Sequence, residues 1–514
     1  MRSPSIFFSC LICLALVTPT FGQATDWLPT IPVGDVEVRL ELHSSGFNSF
    51  VQGVNQILPT KVVPIPDGSG RMVVSTLGGL IRIMDADGNI LPSNDGIYIN
   101  TNTAETAIEL FAFGLTSVAF HPDFANVGQA GFGKFYILTT EAPKNPALYD
   151  FVPSVGTNNQ HAAVLVEYTI DADAIDADVL ITSGADRNVL RRELFIAQEP
   201  DNEHNFCDLA FDEDGRLYVS AGDGLFNFNG AVNTEALNAQ ALDTVLGKVL
   251  RIDPLGNDSA NGRYGIVADN VFAADGDVDT LGEIFSYGHR NPWRMSIDSV
   301  TGDIVIGEVG HFNIEEVNLS TNGGNFGWPD LEGSFLINFN DGFDLTPDIG
   351  DAFAIANGFT PPVFEYDHQD GKSVTGGFIY RGNNIPALQG KYIFGEFQGG
   401  DVVTRRRLFA GDLATGQYEE LLLSAGSVDL NQPVSFGEDT NQELYVVAIN
   451  GQILSINPIV IFGDVNQDGV VNLLDVQPFI DLLNSGGFLD EADINQDGAV
   501  NLLDVDPFIG VLAG

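Results

Sequence analysis

The sequence predicts an all-β fold, a six-bladed β-propeller, followed by a small α-helical domain. Three observations carry that expectation. Short strand–turn–strand units recur over most of the chain, helical periodicity is rare before residue 460, and beyond that point a loop–helix segment occurs in two copies.

The elements follow in order. The 514 residues suffice for a large core and an appendage. Residues 1–24 read as a secretory signal. Arg2 supplies the charged start, Ile6 to Val17 an apolar run, and Gly22-Gln23-Ala24 small residues at a plausible cut. That run is too short to cross a bilayer as a helix, and no later segment is long enough. The expectation is an exported chain without a membrane span, secreted, periplasmic or at the cell surface.

Residues 25–460 carry the strands. RMVVST and LIRIMDADG come first, then KFYILTTE and AVLVEYTID, RLYVSAG and KVLRIDP, and DIVIGEV and EEVNLS. GGFIYRG and KYIFGEF follow, and ELYVVAI and QILSINP close the series. Each strand is short and bounded by Gly, Asp, Asn or Pro. Paired, they make about six small antiparallel sheets. Radial closure protects the edges of such sheets, whereas a pair of β-sandwiches leaves the recurrence unexplained.

Composition narrows the partners. Of three cysteines, Cys10 and Cys13 leave with the signal and Cys207 stays alone, so no internal disulfide is expected. Seventy acidic residues against 22 basic ones give a net charge of −48. Such a surface repels nucleic acid and anionic lipid, and suits calcium, neutral sugars or cationic surfaces.

Residues 461–514 form the second domain. GDVNQDGVVNLLD at 463–475 recurs as ADINQDGAVNLLD at 492–504. Asp464, Asn466, Asp468, the Val470 carbonyl, Asn472 and Asp475 fall at positions 1, 3, 5, 7, 9 and 12 of a calcium loop. Asp493, Asn495, Asp497, the Ala499 carbonyl, Asn501 and Asp504 repeat the set, and Gly469 and Gly498 supply the sharp turn. No helix precedes the first loop. Duplicated loop–helix units of this kind resemble dockerin domains. That resemblance implies a Ca²⁺-dependent fold that docks onto a cohesin-like partner. Leu473-Leu474 and Leu502-Leu503 stand where the family often has small hydroxyl residues. A calcium-stapled cap with no partner is the alternative.

The propeller carries its own constellation. AFHPDF at 119–124, His204 ahead of RLYVSAGDG, GKVLRIDP, EIFSYGHRNPWRM, GEVGHFNIEEVN, GGNFGWP and VTGGFIYRG occur in that order. Together they resemble the soluble quinoprotein sugar dehydrogenases of the glucose/sorbosone dehydrogenase family, across residues 50–458. The resemblance implies a six-bladed propeller that holds pyrroloquinoline quinone (PQQ) and Ca²⁺ and oxidises a sugar at its anomeric carbon. An external electron acceptor then takes the electrons. It also implies roles. His204 matches the general base and Asp223 an acid beside it. Arg290 and Asn291 match residues that hold the quinone oxygens, with Arg290 stabilising the charge of reduction. Arg381 matches a basic residue facing the cofactor, and the carbonyls of Gly310 and His311 match the calcium ligands.

This sequence departs from the family in three places. Phe206 and Cys207 replace small residues after the base, so Phe206 is expected to narrow the pocket. Ala112 falls near a substrate-touching glutamine. The last-blade stretch VDLNQPVSFGEDTNQELYVV lacks the arginines that clamp the quinone carboxylates, and Lys248, Arg251, Arg294 and Arg405 to Arg407 are the candidate substitutes. A propeller without quinone, retained for carbohydrate or protein recognition, is therefore the alternative function. A metal-dependent lactonase is a third reading, with no carboxylate cluster to support it.

Overall fold

The computed structural model describes residues 26–48, 58–92, 96–101, 114–153, 161–201, 203–224, 236–338, 344–346, 350–466 and 470–513. The expected signal, Ala112 and Asp468 lie outside them.

The fold is mostly β and propeller-like. Strands Pro59–Pro64, Met72–Thr76, Leu80–Met84 and Ile97–Asn100 form one antiparallel sheet, and Leu115–Phe120, Lys134–Glu141, His161–Ile170 and Val189–Glu199 the next. Phe206–Phe211, Leu217–Ala221 and Lys248–Asp253 begin a third, and Pro292–Ile297, Ile304–Glu308, Ile314–Ser320 and Phe364–Asp367 make a fourth. The final sheet has eight strands. It runs from Val374–Ile379 through Gln417–Leu423 to Val33–Ser44, and on to Ile453–Pro458, Leu444–Ala448 and Pro433–Glu438.

Val33–Ser44 was not among the expected strands. It pairs antiparallel with Ile453–Pro458 and parallel with Gln417–Leu423. An N-terminal strand thus welds what the sequence divides into two sheets, and ties the two ends of this part of the chain together.

The first strand of each repeat lies innermost. Pro59–Pro64, Leu115–Phe120, Phe206–Phe211, Pro292–Ile297, Val374–Ile379 and Pro433–Glu438 contact one another in succession, and the last returns to the first. All six carry a β-bulge after their first residue, at Pro59/Lys61, Leu115/Ser117, Phe206/Asp208, Pro292/Arg294, Val374/Gly376 and Pro433/Ser435. A bulge bends a strand and re-aims the side chains beside it. Here it turns Lys61, Ser117, Asp208 and Arg294 toward one another.

Those side chains plug the axis. Lys61 Nζ lies 2.7 Å from Asp208 Oδ1, and the Ser117 hydroxyl donates to the same oxygen at 2.7 Å. Arg294 donates to the carbonyls of Thr60 at 2.8 Å, Cys207 at 2.9 Å and Val434 at 3.3 Å. All of these groups are buried. Apolar wedges fill the space between neighbouring sheets, as Val118, Phe135 and Ile137 do beside Ile81, and Phe195, Phe206 and Leu250 do in the next gap.

Helices Val476–Ser485 and Val505–Leu512 follow the two duplicated loops and pack through Phe479 and Phe508, whose rings stack at 4.1 Å. Pro478 and Pro507 both fall in the first helical turn, where no N–H partner is required. No helix among the described residues is long and apolar enough to cross a membrane.

Candidate active site and calcium loops

His204 stands just before the inner strand Phe206–Phe211, with φ at 50°. Gly222 presses against it. A Cβ there would lie 2.3 Å from the His204 carbonyl oxygen. Gly222 N–H donates to the Asn205 carbonyl at 3.0 Å and Gly224 N–H to the His204 carbonyl at 3.2 Å. These backbone bonds bring Asp223 beside the imidazole, with Nδ1 2.7 Å from Oδ1. Trp328 Nε1 donates to the second carboxylate oxygen, also at 2.7 Å.

A carboxylate only accepts, so Nδ1 carries the proton and the Nε2 lone pair is left for a substrate. Asp223 is fully buried, while the His204 side chain keeps 10% of its surface. Burial holds the His204 pKa below the usual 6.5, and the Arg290 cation adds to this against the opposing pull of Asp223. The ring is therefore neutral near pH 7.

Arg290 joins the same site. Its carbonyl accepts from Asp223 N–H at 2.8 Å. Its guanidinium lies 5.5 Å from the Trp328 ring centre, with Nη2 3.4 Å from His311 Nδ1. Nη1 donates to the carbonyls of Val309 at 2.8 Å and Gly310 at 2.5 Å. The buried Nε has no partner among the described residues.

The loop that presents those carbonyls is shaped by Glu332, which sequence reasoning missed. Its Oε1 accepts the backbone N–H groups of His311, Phe312, Asn313 and Ile314 at 2.8–3.0 Å. In a trans peptide the C=O points opposite to the N–H. Drawing the N–H of 311 and 312 toward Glu332 therefore turns the carbonyls of Gly310 and His311 away from it. Only glycine fits at 310, where a Cβ would come within 1.6 Å of the Ile314 carbonyl oxygen. No pattern of spacing marks a lone glutamate sixteen residues beyond the GEVGHFNIEE run, so it left no sequence signal.

Other expectations need correction. Arg381 is not at the site. It forms a two-pronged ion pair with Asp298, Nε to Oδ1 at 2.8 Å and Nη2 to Oδ2 at 2.6 Å. Asp298 follows the far end of the inner strand that Arg290 precedes, so Arg381 lies roughly 20 Å away at about 3.3 Å per residue. The preference of a guanidinium for a buried carboxylate explains its place. Phe206 does not narrow the pocket, because its ring packs between two sheets, 5.9 Å from Phe195. Asn291 turns its Oδ1 to Cys207 Sγ at 3.4 Å.

The substitute cations are also engaged. Lys248 Nζ donates to the carbonyls of Asn238, Ala239 and Leu246. Arg294 belongs to the axial plug. Arg251 bonds Asn270 beneath Phe285, while Arg405 and Arg407 pair with Glu420.

In the second domain the carboxylates nominated as ligands accept backbone N–H groups of their own loops, and no group of three or more His, Cys, Asp or Glu side chains poised for a metal occurs among the described residues. Asp475 accepts the N–H groups of Asn466 and Asn472 at 2.9 and 2.8 Å. Asp504 accepts those of Asn495 and Asn501 at 3.1 and 2.9 Å, and Asp493 those of Asp497 and Gly498 at 3.1 and 2.8 Å. Asn472 and Asn501 reach the carbonyls of Val470 and Ala499. Asp464, Asp475, Asp493 and Asp504 are buried, yet residues 459–514 contain no lysine or arginine. Carboxylates are the hard oxygen donors that a divalent cation such as Ca²⁺ takes.

Comparison with known proteins follows the same division. Residues 57–426 match the glucose/sorbosone dehydrogenase family, and residues 462–509 match the dockerin type I domain. The HIPL1 protein of Arabidopsis thaliana is 30% identical over 443 residues, covering 77% of this chain and 61% of its own length. Hedgehog-interacting protein of Mus musculus is 24% identical over 435 residues, covering 83% and 53%. Aldose sugar dehydrogenase of Escherichia coli is 29% identical over 195 residues, covering 38% and 45%. The chain thus spans 45–61% of the length of these curated relatives. Among solved structures, a glucose dehydrogenase aligns with a TM-score of 0.56 at 19% identity, over 82% of this chain and 99% of that one. The apo form of the soluble Escherichia coli aldose sugar dehydrogenase gives 0.54 at 19%, over 82% and 100%. At that identity the likeness speaks for the fold.

Proposed function

Because the chain belongs to the glucose/sorbosone dehydrogenase family, we propose that it is an exported aldose dehydrogenase, PQQ-dependent and tethered through its dockerin type I segment. The observation that carries the reading is the chain of contacts from Trp328 to Asp223 to His204, with Arg290 beside it. We read the ring of inner strands as six blades, counting the eight-stranded sheet as two joined by Val33–Ser44.

The residues present fit the implied groups. The orphaned Nε of buried Arg290 suits an anion such as the quinone, and the turned carbonyls of Gly310 and His311 suit Ca²⁺. PQQ, when bound, supplies the two-electron acceptor. The chain does the rest. His204 Nε2 takes the proton of the anomeric hydroxyl. Asp223 fixes the tautomer and steadies the imidazolium, and Trp328 holds Asp223 in register. Arg290 offers positive charge where negative charge develops. An external acceptor removes the electrons afterwards.

The dockerin segment points to a cohesin-like protein. Leu473, Leu474, Leu502 and Leu503 are 67–81% exposed, an apolar face in two matching halves. This favours a partner with an apolar rather than hydroxyl-reading surface.

One observation favours a second reading. Most nominated cations are committed to protein carbonyls or carboxylates, which leaves little charge for a trianionic cofactor, and relatives include hedgehog-interacting proteins. A propeller serving as a recognition module would look like this. Titrating the calcium-loaded chain with PQQ by fluorescence, then adding aldoses and a dye acceptor, separates the two. Saturable binding with sugar-dependent dye reduction supports the dehydrogenase. No binding rejects it in favour of recognition.

A further inference from the structure

Arg290 does more than wait for an anion. Its Nη1 sits where two carbonyls converge, at 2.8 Å from Val309 and 2.5 Å from Gly310. Glu332 fixes the Gly310 carbonyl through the His311 N–H of the same peptide, and Glu315 takes the Gly310 N–H behind the Val309 carbonyl at 3.3 Å. The loop is thus a cation nest, and a guanidinium occupies it. What else holds the guanidinium is weak. The Trp328 ring lies 5.5 Å away, His311 Nδ1 makes a 3.4 Å contact, and Nε has no partner among the described residues.

We propose that Arg290 is the resident competitor for the metal site of the propeller, its guanidinium filling the Val309–Gly310 carbonyl pair until an anionic ligand draws it away. This rests on the reading that the carbonyls of Gly310 and His311 are metal ligands, so that the Gly310 oxygen is the one the guanidinium and the metal would share. A guanidinium and a metal ion both at contact distance from the Gly310 oxygen repel each other strongly. Metal entry therefore requires the guanidinium to leave. An anion that pairs with the guanidinium favours departure, so anion and metal bind with positive coupling. Linkage makes the coupling reciprocal. Metal-free chain should bind the anion less tightly than metal-loaded chain by the same factor.

The test uses terbium as the calcium probe and tryptophan as the sensitiser. All three tryptophans, Trp27, Trp293 and Trp328, precede residue 459, and residues 459–514 contain neither tryptophan nor tyrosine. No tryptophan or tyrosine within the dockerin segment can therefore sensitise its loops, and the emission that Trp328→Phe removes reports the ion at the propeller site. The wild type, Arg290→Gln and Arg290→Met would be titrated with terbium alone, then with PQQ present. Thermal unfolding and circular dichroism would verify that the variants are folded.

The expected result is terbium binding at least about 10-fold tighter in both variants than in the wild type without any anion, within the usual range of coupling. Unchanged or weaker terbium binding in the folded variants overturns the proposal. So does emission that persists in Trp328→Phe, which would place the ion elsewhere on the acidic surface. The comparison with metal alone needs no quinone. If PQQ fails to bind the wild type while the variants still gain metal affinity, the dehydrogenase reading fails and the competition stands.

Discussion

At the scale of single residues, the left-handed backbone of His204 is the informative strain. A non-glycine residue at φ 50° persists when its surroundings dictate it, and such outliers gather at functional sites. Here Gly222 and Gly224 dictate it by closing on the His204 carbonyl. Replacing Asp223 by Asn keeps the shape but removes the carboxylate that selects the Nδ1–H tautomer. Turnover is expected to fall about 100- to 10,000-fold, with folding intact by circular dichroism. The pH profile gives an independent check. A His pKa below 6.5 means the base is disabled only as pH drops through that lowered value. The acid limb of kcat/KM should therefore lie below pH 6.5, and Asp223→Asn should move it lower still, because Asp223 opposes the shift. Glu199 provides a stability counterpart. It is fully buried, accepts the Phe206 N–H at 3.0 Å, and burial raises its pKa from 4.5 to about 8. A raised acid stabilises below its unfolded pKa, and that contribution is lost as pH climbs to the folded value. Glu199→Gln should match the wild type near pH 4 and be the more stable protein at pH 9, by Tm. Equal pH dependence in the two would show that Glu199 ionises freely in the fold.

At the scale of elements, the inner strands explain both what the sequence revealed and what it hid. Alternating apolar runs between turn residues located the strands Leu217–Ala221, Lys248–Asp253, Ile304–Glu308 and Tyr392–Glu396. The His204–Asp223 pair was legible through the family resemblance, in which the acid of GDG matches one beside the base, nineteen residues after the histidine. Arg381 was misplaced because local sequence does not say which end of a strand faces the axis site. Phe206 was misjudged because the bulge between Phe206 and Asp208 re-aims the side chains, and a bulge leaves no mark in composition. The axial plug was invisible for a different reason, since Lys61, Ser117, Asp208 and Arg294 come from four separate repeats and meet only when the ring closes. Its energetics are testable. Asp208 keeps a low pKa because Lys61 and Arg294 outweigh the cost of its burial. Lys61→Met removes one partner from a buried pair and is expected to cost about 3–5 kcal/mol in denaturant unfolding. The double change Lys61→Met with Asp208→Asn should recover part of that loss. A larger loss in the double variant would mean that the hydrogen bonds of Asp208 to Ser117 and Met295, rather than its charge pairing, hold the plug.

At the scale of the whole molecule, two parts obey different physics. The propeller-like part closes on itself through Val33–Ser44, and wide apolar wedges stabilise it without a disulfide, Cys207 being its free cysteine. The C-terminal part is too small for that. Its core is a cluster around Val465, Phe479, Ala492 and Phe508, and four of its aspartates are buried in a segment without a basic residue. Repulsion among such carboxylates opposes folding, and each must desolvate as the loops close. A bound Ca²⁺ reverses the sign of both terms by bringing positive charge to those oxygens. Binding free energy then becomes folding free energy for this part alone. Chelation should therefore abolish the helical circular dichroism of Val476–Ser485 and Val505–Leu512 and leave the β signal and its melting transition in place. Calcium should restore the helices, while sodium at equal ionic strength should restore them only in part, because screening weakens repulsion without supplying ligand bonds. Asp475→Asn and Asp504→Asn each remove one carboxylate from one loop, and each should raise the calcium midpoint while lowering the metal-free repulsion. If the helices survive chelation in the unaltered chain, the buried aspartates are stabilised without metal, and the exposed leucines Leu473, Leu474, Leu502 and Leu503 would be presented whether or not calcium is bound.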